Sequence, residues 1–306
     1  MSSGKSTGPI PPFPKKVKLP NMKVTAKAAG TFEVPPQLTF YYAGIQAIWV
    51  WYAAPISTLR AYLDPLGMTP YDFGGGKGAV NINFFNAVCL YGMGQPGNQG
   101  LGGFNETEVN IVGYASKVAD KINQGLSMAD YLTAGDVTKR LGNYRVWVAC
   151  DDPVAVAAGR QVFMENKFLV PYTYNVPNAN NPLPAPKSWT WDFTCQDPKN
   201  PKLFIYHAVA DMAGLSPVTG NMSEVIDLSF DAGTRRPVAS RRNFLGTFDT
   251  YLGDAVAGAV KLRYGTSSHP MRHDMEKLIG RHRPVAIQVF NSPSCIAEAA
   301  GYFADQ

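Results

Sequence analysis

Lys167 and Glu106 are the two side chains of this 306-residue chain whose type and setting best suit covalent and proton-transfer chemistry. Lys167 is flanked by Phe163, Met164, Phe168, Leu169 and Val170. An ammonium partly desolvated by such neighbours has a depressed pKa and leaves a neutral, nucleophilic amine. The same spacing also fits a lysine that snorkels to water from an apolar turn. Glu106 shares one face of a strand-like segment, Phe104 to Tyr114, with Glu108 and Asn110, while Thr107, Val109 and Ile111 take the other. Two acids on a strand face are solvated on an open surface; in an apolar cavity a raised pKa lets one of them move protons near neutral pH. Asn83 alternates within Ala79 to Phe85 so that Asn81 and Asn83 oppose Val80, Ile82 and Phe84. That second face is a polar cavity wall if the sheet curls into a barrel, and wet if it stays open.

Other chemical signatures are weaker. Gly74-Gly75-Gly76-Lys77-Gly78 lacks the spacing and the Ser or Thr of a phosphate-binding loop and reads as a turn. His269 and His273 are four apart, but Pro270 intervenes and no Glu follows His269 as a zinc-protease helix requires; His282 adds no pattern. Cys89, Cys150, Cys195 and Cys295 are too scattered for a zinc site, and three of them sit in apolar or strand-like surroundings and read as buried free thiols. No Gly-x-Ser-x-Gly elbow occurs. The pairs Arg235-Arg236 and Arg241-Arg242 fit an exposed turn, or an anion or subunit contact.

The elements around Lys167 are legible locally. Tyr144 to Ala149 alternates as a half-buried strand. Asp152 stands at an N-cap position and Pro153 at the first helical position, so a helix from Pro153 to about Met164 is expected, packed through Val154, Ala158 and Val162, before a turn that delivers Lys167. Upstream, strands at Gln37 to Tyr42 and Gln46 to Tyr52 are expected to join at Ala43-Gly44, followed by a helix over Pro55 to Asp64. Gly92 to Gly103 reads as a loop over a pocket mouth, and Ser127 to Ala134 as a short helix. Val176 to Lys187 is a Pro- and Asn-rich surface excursion. Strands at Ser188 to Thr194, Leu203 to Ala210, Glu224 to Phe230 and Pro284 to Phe290 complete a β-rich pattern, with a helix-compatible run at Phe248 to Val260. Many strands, few helices and frequent Gly or Pro turns predict an α+β, β-rich fold: an antiparallel barrel with peripheral helices.

Composition bounds the rest. Apolar residues make up 45% and charged residues 17%, which favours a folded core over disorder. Residues 1–30 are expected to form a flexible basic arm carrying Lys15, Lys16, Lys18, Lys23 and Lys27, ahead of a single domain over 31–306. The net charge of +5 is modest and no nucleic-acid module is visible. No run is long enough to cross a bilayer and the start lacks a signal peptide's apolar core, so a cytoplasmic protein without membrane contact is expected.

Asp151 to Gln161, Asp-Asp-Pro-Val-Ala-Val-Ala-Ala-Gly-Arg-Gln, with Lys167 eight residues after Gly159, resembles the segment that precedes the Schiff-base lysine in the acetoacetate decarboxylase family. Trp51-Tyr52, Leu59-Arg60 with Pro65, Val80 to Phe85, Phe104-Asn105-Glu106 and Thr266-Ser267-Ser268-His269 resemble further family landmarks in the same order, over roughly residues 40 to 290. The resemblance implies a closed, cone-like barrel and imine chemistry through Lys167, with Glu106 orienting substrate or moving protons. Phe163, Phe168 and Asn83 are then expected to line the substrate pocket, and Arg160 to support the lysine loop. The segment Asn166-Lys167-Phe168 lacks the second lysine that follows the Schiff-base lysine in family decarboxylases, leaving apolar surroundings as the lever on the amine. Two readings follow: a lyase that decarboxylates, or performs aldol, retro-aldol or dehydration chemistry on a ketone, aldehyde or β-keto acid; or a small-molecule-binding barrel that has lost the chemistry. A small-molecule carbonyl partner, no nucleic acid, a homo-oligomer and no cofactor or metal are expected.

Overall fold

Apolar side chains on both faces of residues 45–54 produce one continuous strand, β1 (Phe40–Pro55), where the sequence suggests two. The expected break at Ala43-Gly44 is a register irregularity against the neighbouring strand, which bends the chain without ending it. The computed structural model describes residues 25–26, 32–33, 40–91, 102–177, 189–220, 224–243, 247–292, 296–298 and 301–306. The expected basic arm apart from residues 25–26, the Gly92 to Gly103 loop up to residue 101, most of the Val176 to Lys187 excursion and Cys295 lie outside them.

After β1 comes helix α1 (Ile56–Leu63), with Pro55 at its N-cap and Leu59 and Leu63, four apart, facing the core. Gly74, Gly75 and Gly76 all take positive φ and turn the chain into β2 (Lys77–Tyr91), the turn role expected of that run. β3 (Gly102–Ala115) is followed by α2 (Met128–Ala134), capped by Ser127, and then by β4 (Gly142–Cys150). α3 (Pro153–Val162) leads to the short β5 (Lys167–Leu169), β6 (Tyr172–Asn175), β7 (Thr190–Gln196) and β8 (Phe204–Asp211). β9 (Glu224–Asp231), β10 (Arg236–Asn243) and β11 (Phe248–Leu252) follow, with the one-turn α4 (Val256–Ala259). β12 (Val260–Tyr264), α5 (Pro270–Leu278), β13 (Pro284–Ser292) and β14 (Ile296–Glu298) end the succession. Residues 248–260 are thus a strand and a single helical turn rather than a helix. Phe248 and Thr250 point inward at period two, and Gly253 at φ +93° breaks the run.

The chain is a strand-rich α+β protein whose described residues form two main sheets and a two-stranded pairing of Thr25–Ala26 with Phe32–Glu33. In the larger sheet, hydrogen-bonded pairing runs β1–β2–β3–β4, continues from β4 to β9 in parallel, then to β10 and β14, and β14 also pairs with β1. β5 adds to β4 in parallel, setting Lys167 opposite Val148. The smaller sheet has the order β12–β8–β7–β6 and covers one face of the larger. There Phe84 of β2 stacks on Phe193 of β7, centroids 4.4 Å apart, and Thr107 of β3 meets the Tyr206 hydroxyl of β8 at 2.5 Å.

With Phe84 and Thr107 committed to that interface, alternation turns Asn81, Asn83, Glu106, Glu108 and Asn110 to the opposite face. That face is also closed from water: all five are 5% exposed or less, so neither asparagine is wet and neither acid is solvated. No helix among the described residues is long and apolar enough to cross a membrane.

Candidate active site

A short-range device holds Lys167. The Asp152 carboxylate accepts from Val154 N and Ala155 N, and Pro153 occupies the first turn, so α3 starts where its sequence signals place it. The helix buries Ala155, Val156 and Gly159, a face rotated from the expected Val154, Ala158 and Val162. Its end is folded back tightly: Met164 takes φ +56°, and Glu165 N donates to Gly159 O at 3.0 Å. Asn166 then bonds β4 twice, its side-chain amide donating to Val146 O at 3.0 Å and its carbonyl accepting from Val148 N at 3.1 Å. Arg160 Nε donates to Lys167 O at 2.5 Å, the support role expected of it.

Gly159 is needed because Lys167 lies across the helix. A Cβ there would collide with Lys167 Cδ and Glu165 Oε2. Gly159→Ala therefore displaces the amine, and is expected to cost about 1–3 kcal/mol in urea unfolding through overpacking. The same variant should lose most amine labelling at Lys167; unchanged stability and labelling would show that the close approach is not required.

The amine belongs to a cluster of seven buried charged groups. Lys167 Nζ lies 2.5 Å from Glu106 Oε2 and 3.5 Å from Glu165 Oε2. Arg145 of β4 pairs with Glu165, with Glu108 at 3.1 Å and with Asp227 at 2.5 Å. Arg242 of β10 reaches the same Glu108 at 3.1 Å and Asp227 at 3.3 Å. Behind them Asn83 Nδ2 donates to Glu108 Oε2 at 2.6 Å, and its carbonyl accepts from Glu108 N. Glu106, Lys167, Glu165, Arg145 and Arg242 line a small pocket of about 20 Å³, room for roughly one water, with Tyr42, Phe104, Phe163, Ala155, Ala158 and Gly159 completing the wall.

This environment corrects the expectation of a depressed lysine. Burial by itself lowers the Lys167 pKa, but the carboxylate of Glu106 outweighs it and the ammonium is held above its ordinary range. Glu106 is also raised: burial pushes it up, and Lys167 and Arg145 recover only part of that against the nearby Glu108. The Lys167–Glu106 pair therefore holds its protons tightly. Burial would raise Glu108 as well, but Arg145, Arg242, Asn83 and Asn110 bring it down to about 2, making it a fixed anion. Burial, with Glu106 beside it, pushes the Cys150 thiol upward, so it is not a nucleophile at neutral pH.

Of the residues singled out from sequence, Lys167 and Glu106 meet directly and Phe163 lines the cavity. Asn83 lies behind the wall as a partner of Glu108. Phe168 points away, stacked on His269 at 4.2 Å and edge-on to Trp147. His269 caps α5 through Nδ1, accepting from Met271 N, while His273 lies within that helix. No group of three or more His, Cys, Asp or Glu is placed to hold a metal ion among the described residues.

Sequence reasoning missed Arg145, Glu165, Asp227 and Arg242. Arg242 was read as part of an exposed turn, yet it is 4% exposed inside β10, while Arg236 at the other end of the strand is paired with Asp305. Arg145 sits between Tyr144 and Val146 in a run read only for its apolar members. A charged residue in an otherwise apolar strand was the available signal.

Neither a family model nor a curated protein sequence matches the chain. Its fold is nevertheless similar to solved acetoacetate decarboxylase-like structures. An enduracididine biosynthesis enzyme, MppR, complexed with pyruvate, superposes with TM-score 0.55 at 14% identity over 89% of this chain and 91% of that one. An acetoacetate decarboxylase-like enzyme from Sphingomonas wittichii RW1 gives 0.51 at 12% identity, covering 90% and 96%. Acetoacetate decarboxylase from Legionella pneumophila gives 0.51 at 12%, covering 87% and 86%. At these identities the likeness concerns the fold.

Proposed function

We propose that this chain is a lyase that forms a Schiff base through Lys167, acting on a ketone, an aldehyde or a β-keto acid, with Glu106 as the proton-transfer partner. The observation that carries the reading is one buried contact, Lys167 Nζ to Glu106 Oε2 at 2.5 Å on the wall of a pocket. Glu106 takes a proton from the ammonium, and the freed amine attacks the carbonyl carbon. Glu106 gives that proton to the carbinolamine hydroxyl, which leaves as water and yields a protonated imine. The electron pair of the adjacent C–C or C–H bond then flows to the imine nitrogen, releasing CO₂, a carbonyl fragment or a proton. Glu106 relays a proton from water to carbon, and water hydrolyses the imine.

The acetoacetate decarboxylase-like fold and the carbonyl compound named with the MppR structure support this chemistry. The missing lysine after Lys167 favours aldol or dehydration chemistry over decarboxylation. Pairing that returns from β14 to β1 supports a closed barrel around the cavity. We take the enzyme to be a cytoplasmic homo-oligomer, a reading from sequence that sedimentation of the full chain tests.

The deciding experiment is borohydride trapping with aldehydes, diketones and β-keto acids, read by intact mass and peptide mapping. An adduct confined to Lys167 is expected. An adduct spread over surface lysines, or none on the folded chain, sinks the proposal. The second reading, a ligand-binding barrel without turnover, is favoured by one feature: the amine is already engaged by two carboxylates and held as an ammonium. Binding of these compounds without trapping would establish it.

A further inference from the structure

Resting on the reading that Lys167 forms an imine, we propose that the cavity selects carbonyl substrates without a carboxylate: neutral ones, or ones bearing a cationic group close to the carbonyl. The basis is the charge balance of the cluster. Its cations are Lys167, Arg145 and Arg242; its acids are Glu106, Glu108, Glu165 and Asp227, and all seven are 8% exposed or less. By formal charge, acids exceed cations by one among the described residues.

Each cation is shared. Lys167 is engaged by Glu106 and Glu165, Arg145 by Glu108, Glu165 and Asp227, and Arg242 by Glu108 and Asp227. The remaining cavity wall, Tyr42, Phe104, Phe163, Ala155, Ala158 and Gly159, adds no cation. A carboxylate entering with the substrate would be a fifth anion among three cations. It would shed its water where like-charge repulsion is weakly screened, and could be received only by taking a guanidinium from a carboxylate that already holds it.

Imine formation leaves the balance as it was, because the ammonium charge of Lys167 reappears on the protonated imine as water departs. A neutral carbonyl compound therefore disturbs nothing. An ammonium on the substrate offsets the surplus acid, and Glu165 Oε2, which meets Lys167 Nζ only at 3.5 Å and accepts no hydrogen bond among the described residues, is the wall atom to receive it. Excluding carboxylates also sets the reaction class: with no β-carboxylate to lose, the enamine must react by carbon–carbon bond formation or cleavage, or by dehydration.

The test uses the full chain and matched probes under borohydride: acetylacetone against acetoacetate, butanedione against pyruvate, and aminoacetone against acetone. Each rate at Lys167 is divided by that probe's rate with Nα-acetyllysine, and adducts of acetoacetate and of its decarboxylated product are counted together. The uncharged member of each acid pair is expected to label faster by on the order of tenfold or more, and aminoacetone at least as fast as acetone. Glu165→Gln removes the surplus acid and should narrow the acid gap. Equal or faster labelling by acetoacetate and pyruvate overturns the selectivity and leaves the imine reading standing. Failure of every probe to label the folded chain overturns both.

Discussion

Lys167→Ala is expected to abolish both the trapped adduct and turnover, down to the background of the uncatalysed reaction, with the fold intact by circular dichroism. The side chain is the covalent participant, and among the described residues no second lysine is paired with the cluster to substitute for it. Lys167→Arg is expected to be equally inactive, because a guanidinium remains protonated and cannot condense. Glu106→Gln separates the two roles in the pair. Losing the proton acceptor should slow turnover by about 10²- to 10⁴-fold, while a residual adduct at Lys167 survives.

The pH profile distinguishes this from simple damage. Glu106 is the main influence raising the Lys167 pKa, so in the wild type trapping should climb as pH rises above neutral and the amine becomes free. In Glu106→Gln that influence is gone while burial still lowers the pKa, so the climb should move to lower pH. A profile unmoved by the substitution would mean that Glu106 does not control the amine.

The second large effect concerns folding. Arg145→Met should destabilise the protein by about 3–5 kcal/mol, because removing one partner leaves Glu108, Glu165 and Asp227 buried with too little positive charge. Urea unfolding measures this. Its pH dependence has a defined sign: Glu108, at about 2 in the native state against about 4.3 unfolded, contributes stability that is full above the unfolded value and lost as pH falls toward 2. Arg145 is the chief influence lowering Glu108, so Arg145→Met should raise the native value and shrink this contribution. A variant as stable as the wild type, with the same acid limb, would show that the cluster does not depend on Arg145. Arg145→Lys should recover part of the loss, since a point charge replaces the fork that reaches three carboxylates.

Much of the architecture was legible because it is written in short-range chemistry. The cap at Asp152, Pro153 in the first turn and the apolar residues around Lys167 act within a few positions of one another, and α3 and its following turn form as those signals direct. Period-two alternation in residues 79–85 and 104–114 separated the two faces of β2 and of β3 correctly, and the pairing of the strands put Asn83 on the same face as Glu106 and Glu108. The same local reading failed where a side chain's partner is distant. Nothing near Arg242 signals that Glu108 and Asp227 will neutralise it, so two adjacent arginines beside a turn read as solvated. Residues 248–260 carry apolar spacing compatible with a helix, and pairing of β11 with β13 made its first part a strand.

The sequence by itself therefore determined the lysine's delivery: a capped helix, a tight turn and an apolar neighbourhood that holds Lys167 on a buried element. Tertiary structure decided the state of that lysine. Its apolar neighbours in sequence argue for a neutral amine, whereas the sheet brings Glu106 from β3 to the amine and positions Glu165 beside it. At such distances in a weakly screened interior, the charge and hydrogen bond of Glu106 lead the influences that together outweigh the desolvation of burial, and the amine keeps its proton until something takes it.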